Sequence, residues 1–128
     1  MTKRKLIIHC SDSPYPEHGV EVIKKWHVNE RGWSDIGYHF VIERNGDLKK
    51  GRLTYPGAHT RGHNFETGLC LCGLSGAFEN AQMKTLETFV VQNAHTITEI
   101  KQHSDFDAKK PFCAGLNDNQ IKYLNSLL

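Results

Sequence analysis

Leu6, Ile7 and Ile8 form an unbroken apolar run in KLIIHC (5–10), bounded by lysine on one side and by histidine and small polar residues on the other. A run of this kind predicts a short strand buried on both faces. From Gly19 to Glu30 the period changes: Val20, Ile23, Trp26 and His27 recur at three and four residues, and Arg31-Gly32 closes a predicted helix. In YHFVIERNGDLKKGR (38–52) Tyr38, Phe40 and Ile42 alternate onto one face, which should send His39 to the other. Asn45-Gly46, where positive φ is cheap, predicts a hairpin turn there, continued by Leu48. TGLCLCGLSG (67–76) reads as an interior strand with Cys70 and Cys72 on one face. Met83, Leu86, Phe89, Val90, Ala94 and Ile97 predict a long amphipathic helix over 79–97. A final strand over 100–103 and a helix from 116, capped near Asn117 or Asp118 with Ile121, Leu124 and Leu128 inward, complete the series.

Alternation of strand and helix patterns predicts an α/β fold: one domain, 1–128, with a central mixed β-sheet flanked by about three helices. A chain of 128 residues can bury a single core without staples. No repeat, low-complexity tract or Pro/Ser-rich linker offers a boundary for a second domain. Sixteen Lys and Arg against fourteen Asp and Glu leave a net charge of +2, scattered along the chain, so direct nucleic-acid binding is not expected. The N-terminal segment has a basic start but too few apolar residues for a signal-peptide core or a membrane span. A cytoplasmic protein is therefore expected. In a reducing compartment Cys10, Cys70, Cys72 and Cys113 read as free thiols or metal ligands rather than two disulfides.

Eight histidines are many for this length, yet the chain contains no helix-borne HExxH motif, so a metal site must be assembled from distant segments. The candidates stand where apolar strands end: His9, His103, and Cys113 in the loop KKPFCAG. Two imidazoles and a thiolate suit zinc, and three protein ligands leave a fourth position for water. The same three residues also read as a strand end, a surface histidine and a buried thiol. Cys70, Cys72 and Cys10 read as small structural residues, and Trp26 and His27 as packing. His18, His63 and His95 carry no legible signal.

HCSDSP (9–14), WH (26–27), RGWSDIGYHFVIERNGDLKKGR (31–52), GAHTRGHNFETGLCLCGLSG (57–76) and HSDFDAKKPFC (103–113) resemble, in order and spacing, the zinc-dependent N-acetylmuramoyl-L-alanine amidases. The resemblance spans nearly the whole chain and is nearest to the small phage lysozyme-type amidases, which share their fold with peptidoglycan recognition proteins. It implies His9, His103 and Cys113 as zinc ligands, Tyr38 and a lysine before the cysteine as catalytic groups, and His59 as a residue lining the cleft against substrate. Nine residues separate His103 from Cys113 here, where the phage enzymes have seven, and Pro111 occupies the usual lysine slot. Counting forward from His103 selects Lys109, with Lys110 as the alternative.

The implied activity is hydrolysis of the amide between N-acetylmuramic acid and L-alanine in peptidoglycan or muropeptides. The implied setting is a monomeric phage or prophage endolysin that waits in the host cytoplasm until the membrane is permeabilised. Three other expectations stand beside it: a peptidoglycan-binding module without activity, a cytoplasmic amidase recycling anhydromuropeptides, and a contact with a phage RNA polymerase, which one member of the group makes.

Overall fold

The computed structural model describes residues 2–128. Its strands are β1 (Arg4–Cys10), β2 (Phe40–Ile42), β3 (Leu48–Lys50), β4 (Thr67–Leu71) and β5 (Ile97–Gln102), and its helices are α1 (Val20–Lys25), α2 (Asn80–Asn93) and α3 (Asp118–Ser126). The strands form one mixed sheet in the order β3-β2-β4-β1-β5. The β2–β3 hairpin is antiparallel, while β2–β4, β4–β1 and β1–β5 are parallel.

The alternation of each strand sorts its side chains onto two faces. Leu6, Ile8, Cys10, Ile42, Leu69, Leu71 and Ile100 form one face and pack under Leu86, Phe89 and Val90 of α2 and Leu124 of α3. On the opposite face Val41 and Cys70 pack with Cys72, against Ile23 of α1 and Ile36. Both are paired across the sheet at the level of His9. Two helices therefore close the core side, leaving the His9 side covered by one short helix and loops.

Four boundaries differ from the periodicity. The helix predicted over 19–30 is α-helical only to Lys25; Trp26–Glu30 is a wider π-turn in which the Arg31 N–H reaches the Trp26 carbonyl. His27 is buried in that turn, its Nδ1 accepting from the Gly37 N–H. Ile97 is the first residue of β5 rather than the last of α2. The β-branched run Thr96-Ile97-Thr98 favours extended backbone, and Ile97 pairs with Arg4. At the C-terminus Leu128 is exposed and Leu127 packs on the core in its place. Finally, Tyr38 packs with Val41 and Cys70, on the face away from Phe40 and Ile42. Alternation does not reach it, because β2 begins only at Phe40.

Other expectations hold. Gly46 has φ +94° in the hairpin turn. Asn117 caps α3 by accepting from the Gln120 N–H. Among the described residues no helix is long and apolar enough to cross a membrane.

Candidate metal centre and active site

Parallel pairing of β1 and β5 builds the first half of the site. Ile8 is opposite Gln102, so His9 and His103, the next residue of each chain segment, emerge side by side with ring centroids 4.5 Å apart. His103 opens a 3-10 turn, and the following loop coils through successive turns: Asp107 N–H to His103 O, Lys110 N–H to Asp107 O, and Cys113 N–H to Lys110 O. The coil returns Cys113 to the strand ends, where its carbonyl accepts from the Ser104 N–H at 2.7 Å and its Sγ accepts from the Cys10 N–H at 3.2 Å. The nine residues between His103 and Cys113 are thus taken up in successive turns.

One ligating atom from each of His9, His103 and Cys113 lies within 4.8 Å of the others. Ligands bound to zinc at about 2.0–2.3 Å in tetrahedral geometry stand roughly 3–4 Å apart, so the spacing fits one ion. The donor chemistry fits as well. Hydrogen bonding from the Cys10 thiol, joined by His103 and His9, holds the Cys113 thiol well below its ordinary pKa against the opposing effect of burial. Burial pushes His9 down. Thiolate and neutral imidazole are the forms that bind a metal. Cys10, read from the sequence as structural, has its side chain in the core but serves this site through its N–H and thiol.

Both histidines are held from behind. His9 Nε2 lies 3.1 Å from His59 Nδ1 and 3.2 Å from Thr60 Oγ1, and His59 Nε2 donates to the Glu66 carbonyl at 2.9 Å. His59 is 9% exposed, and burial pushes it down to about 3. His103 Nε2 lies 3.6 Å from the Asp107 carboxylate. His39, expected on the other side of the sheet from Tyr38, stacks on Tyr55 with its ring 5.5 Å from that of His59, whose ring is in turn 5.1 Å from that of His9.

His103 and Cys113 line a cleft of about 630 Å³. Tyr38, half-buried, sets its ring 5.0 Å from that of His9 and 5.5 Å from that of His27. Burial raises the phenol well above its ordinary pKa, so at neutral pH its hydroxyl is a proton donor. Lys109 and Lys110, both exposed, line the cleft together. Trp26, assigned to packing from the sequence, is also in its wall, as are Arg31, Trp33 and Arg61, which sequence reasoning passed over. Thr60 and Asp107 were missed too. The only sequence signal for them was adjacency: Thr60 follows His59 directly, and Asp107 stands one helical turn after His103.

No family model matches the chain. Among individual proteins it is 37% identical over 100 residues to the endolysin of Enterobacteria phage T3, covering 70% of this chain and 66% of that protein, just under two thirds of its length. With the endolysin of Klebsiella phage KP32 it shares 37% identity over 105 residues, 71% of this chain and 69% of the relative. Among solved structures, the N-acetylmuramoyl-L-alanine amidase LysC from Clostridium intestinale superposes with a TM-score of 0.79 at 27% identity, over 98% of this chain and 87% of that one. Its mixed sheet of five strands, three helices and His-His-Cys cluster are thus set on the amidase fold, and the chain belongs to the phage endolysin family.

Proposed function

We propose that the protein is a zinc-dependent N-acetylmuramoyl-L-alanine amidase, cleaving the amide that joins the lactyl group of N-acetylmuramic acid to the L-alanine of the stem peptide. The observation that carries this reading is the His9, His103 and Cys113 cluster, in which His9 is buried and His103 and Cys113 line a large cleft. Zinc bound by these three would polarise the scissile carbonyl and acidify a water from a pKa near 16 toward about 7. Everything else is done by side chains of the chain itself. The protonated Tyr38 hydroxyl donates to the carbonyl oxygen as negative charge grows there. The lysine ammonium at the rim adds a cation to the same oxygen, and such donors are worth about 3 kcal/mol each.

Lys109 is the favoured lysine. Its N–H is bound at 2.9 Å by Asp107 Oδ1, while Asp107 Oδ2 faces His103. Lys109 is thereby registered to a metal-site residue through one carboxylate, whereas the Lys110 N–H goes to the Asp107 carbonyl.

The substrate is peptidoglycan or a muropeptide, and because all three ligands lie in one chain the site needs no second copy. The protein acts as an endolysin, held in the host cytoplasm and reaching the wall once the membrane is permeabilised. Against the reading as a wall-binding module stands the complete ligand set, which such a module has no need to keep. Among the described residues nothing singles out a surface for the polymerase contact, and it forms no part of the proposal. Purified protein should contain about one zinc per chain and release new L-alanine amino groups from intact sacculi without new reducing sugar ends. Faster turnover of soluble anhydromuropeptides than of sacculi would favour the recycling role instead. Full activity after chelation would overturn the metal-dependent reading.

A further inference from the structure

His59 is placed with unusual care for a residue that only borders a cleft. Its N–H and that of Thr60 both donate to Asn64 Oδ1, at 2.8 and 2.9 Å, which pins the backbone at this point. The ring then fills space that two glycines leave for it. A Cβ on Gly68 would stand 2.5 Å from His59 Cγ and Cδ2, and one on Gly57 would stand 2.9 Å from His59 Cδ2. Any other residue at Gly68 would have to displace the imidazole.

The hydrogen bonds of the ring have a direction. The Glu66 carbonyl can only accept, so His59 Nε2, 2.9 Å away, carries a proton. In the neutral ring Nδ1 is then a bare acceptor. The Thr60 hydroxyl, 2.9 Å from that nitrogen, donates to it. His9 Nε2, 3.1 Å from His59 Nδ1 and 3.2 Å from Thr60 Oγ1, faces two acceptors at once. It must therefore be the protonated nitrogen of His9.

We infer that His59 is a positioning residue: with Thr60 and the Glu66 carbonyl it holds His9 in the tautomer protonated at Nε2, leaving the Nδ1 lone pair free on the side of His103 and Cys113. This replaces the expected role of His59 as a substrate contact, because neither ring nitrogen is free to face the cleft. The geometry stands by itself, while its consequence for metal affinity rests on the amidase reading. Partners behind a metal-binding histidine fix its tautomer and raise its basicity, and their removal lowers metal affinity about 10- to 100-fold.

The test uses the intact chain. In the metal-free wild type, long-range ¹H–¹⁵N correlation spectra should show His9 as a single tautomer protonated at Nε2. His59→Leu should bind zinc about 10- to 100-fold more weakly in chelator competition and lose the tautomer preference of His9. His59→Asn, which sets an amide oxygen close to the position of the lost Nδ1, should recover much of the affinity. A wild-type His9 protonated at Nδ1 would overturn the inference whether or not the Leu variant folds. So would unchanged zinc affinity in His59→Leu with only KM for muropeptide raised, the signature of a substrate contact. A wild type that binds no zinc yet keeps His9 protonated at Nε2 would defeat the zinc reading and leave the relay standing.

Discussion

Replacing Tyr38 by phenylalanine separates chemistry from architecture because the structure assigns the two to different parts of the residue. The ring packs with Val41 and Cys70 beneath Ile23 of α1 and stands against the His9 and His27 rings. The backbone is fixed independently, its carbonyl accepting from the Arg52 N–H at 2.8 Å. Among the described residues the hydroxyl has no hydrogen-bond partner in the protein, so its removal breaks nothing in the folded state. Stability should stay within about 0.5 kcal/mol of wild type, equivalent to roughly 2–3 °C in Tm. Zinc content should be unchanged, since no ligand touches the hydroxyl. Turnover should not be spared. A donor aimed at a developing oxyanion is worth about 2.7–4 kcal/mol, or a factor of about 10² to 10³ in kcat. Because the bond strengthens only as charge develops, kcat and kcat/KM should fall together with KM little changed. The assay is release of L-alanine amino groups from muropeptide, with Tm and zinc measured on the same preparation. Turnover within threefold of wild type would remove Tyr38 from the mechanism, and loss of zinc would show that it supports the metal site instead.

Cys113→Ser should cut zinc affinity severely and abolish hydrolysis, whereas Cys70→Ala and Cys72→Ala keep the metal and Cys10→Ala largely does, because the Cys10 N–H that reaches Cys113 Sγ survives the change. Zinc analysis of the four proteins decides this, and metal retained in Cys113→Ser would dissolve the site. Lys109→Ala should retain zinc and lose about 10²-fold or more in kcat, with Lys110→Ala milder; steady-state kinetics showing the reverse order would reassign the cation. Thermal stability should fall as pH drops from 6.5 toward 4. His27 and His39 are held neutral by burial with pKa values pushed down to about 4, so over this window the unfolded chain takes up protons that the folded one refuses. A Tm that stays flat from pH 7 to 4.5 would contradict that account.

Much of the fold is legible because its strands and α2 bury regular patterns. The hairpin shows itself in Asn45-Gly46, and β1 and β4 in unbroken apolar runs between turn residues. The discrepancies lie where local pattern competes with something further away. Ile97 continues the helical period of α2, but pairing with Arg4 on the neighbouring strand claims it for β5. The end of the first helix widens into a π-turn that buries His27 against Gly37, a contact with no trace in helical spacing. Leu127 and Leu128 are equally apolar, and the last turn of α3 alone decides which one meets the core.

At the candidate site, the cluster of His9, His103 and Cys113 was legible and the residues around it were not, for a physical reason. His9 follows the apolar run Leu6-Ile7-Ile8 and His103 directly follows β5, and the β1–β5 register converts those positions into proximity. Cys113 is brought in by a loop whose turns can absorb residues, provided the chain returns to the Ser104 and Cys10 N–H groups. Spacing counted backward from the cysteine crosses the end of this loop, where Phe112 and Pro111 project, and finds no lysine. Counted forward from His103 it follows a bonded path: Asp107 Oδ2 stands against the His103 ring and Asp107 Oδ1 holds the Lys109 N–H. On the proposed assignment, the Asp107 carboxylate ties the Lys109 backbone to the His103 side of the loop, which is why the forward count is the one followed. His59 and Thr60 act on His9 through ring nitrogens and a hydroxyl whose partners are fifty and fifty-one residues away. A role that consists of choosing which nitrogen of another residue carries a proton leaves no periodicity, only the two glycines, Gly57 and Gly68, that make room for the ring.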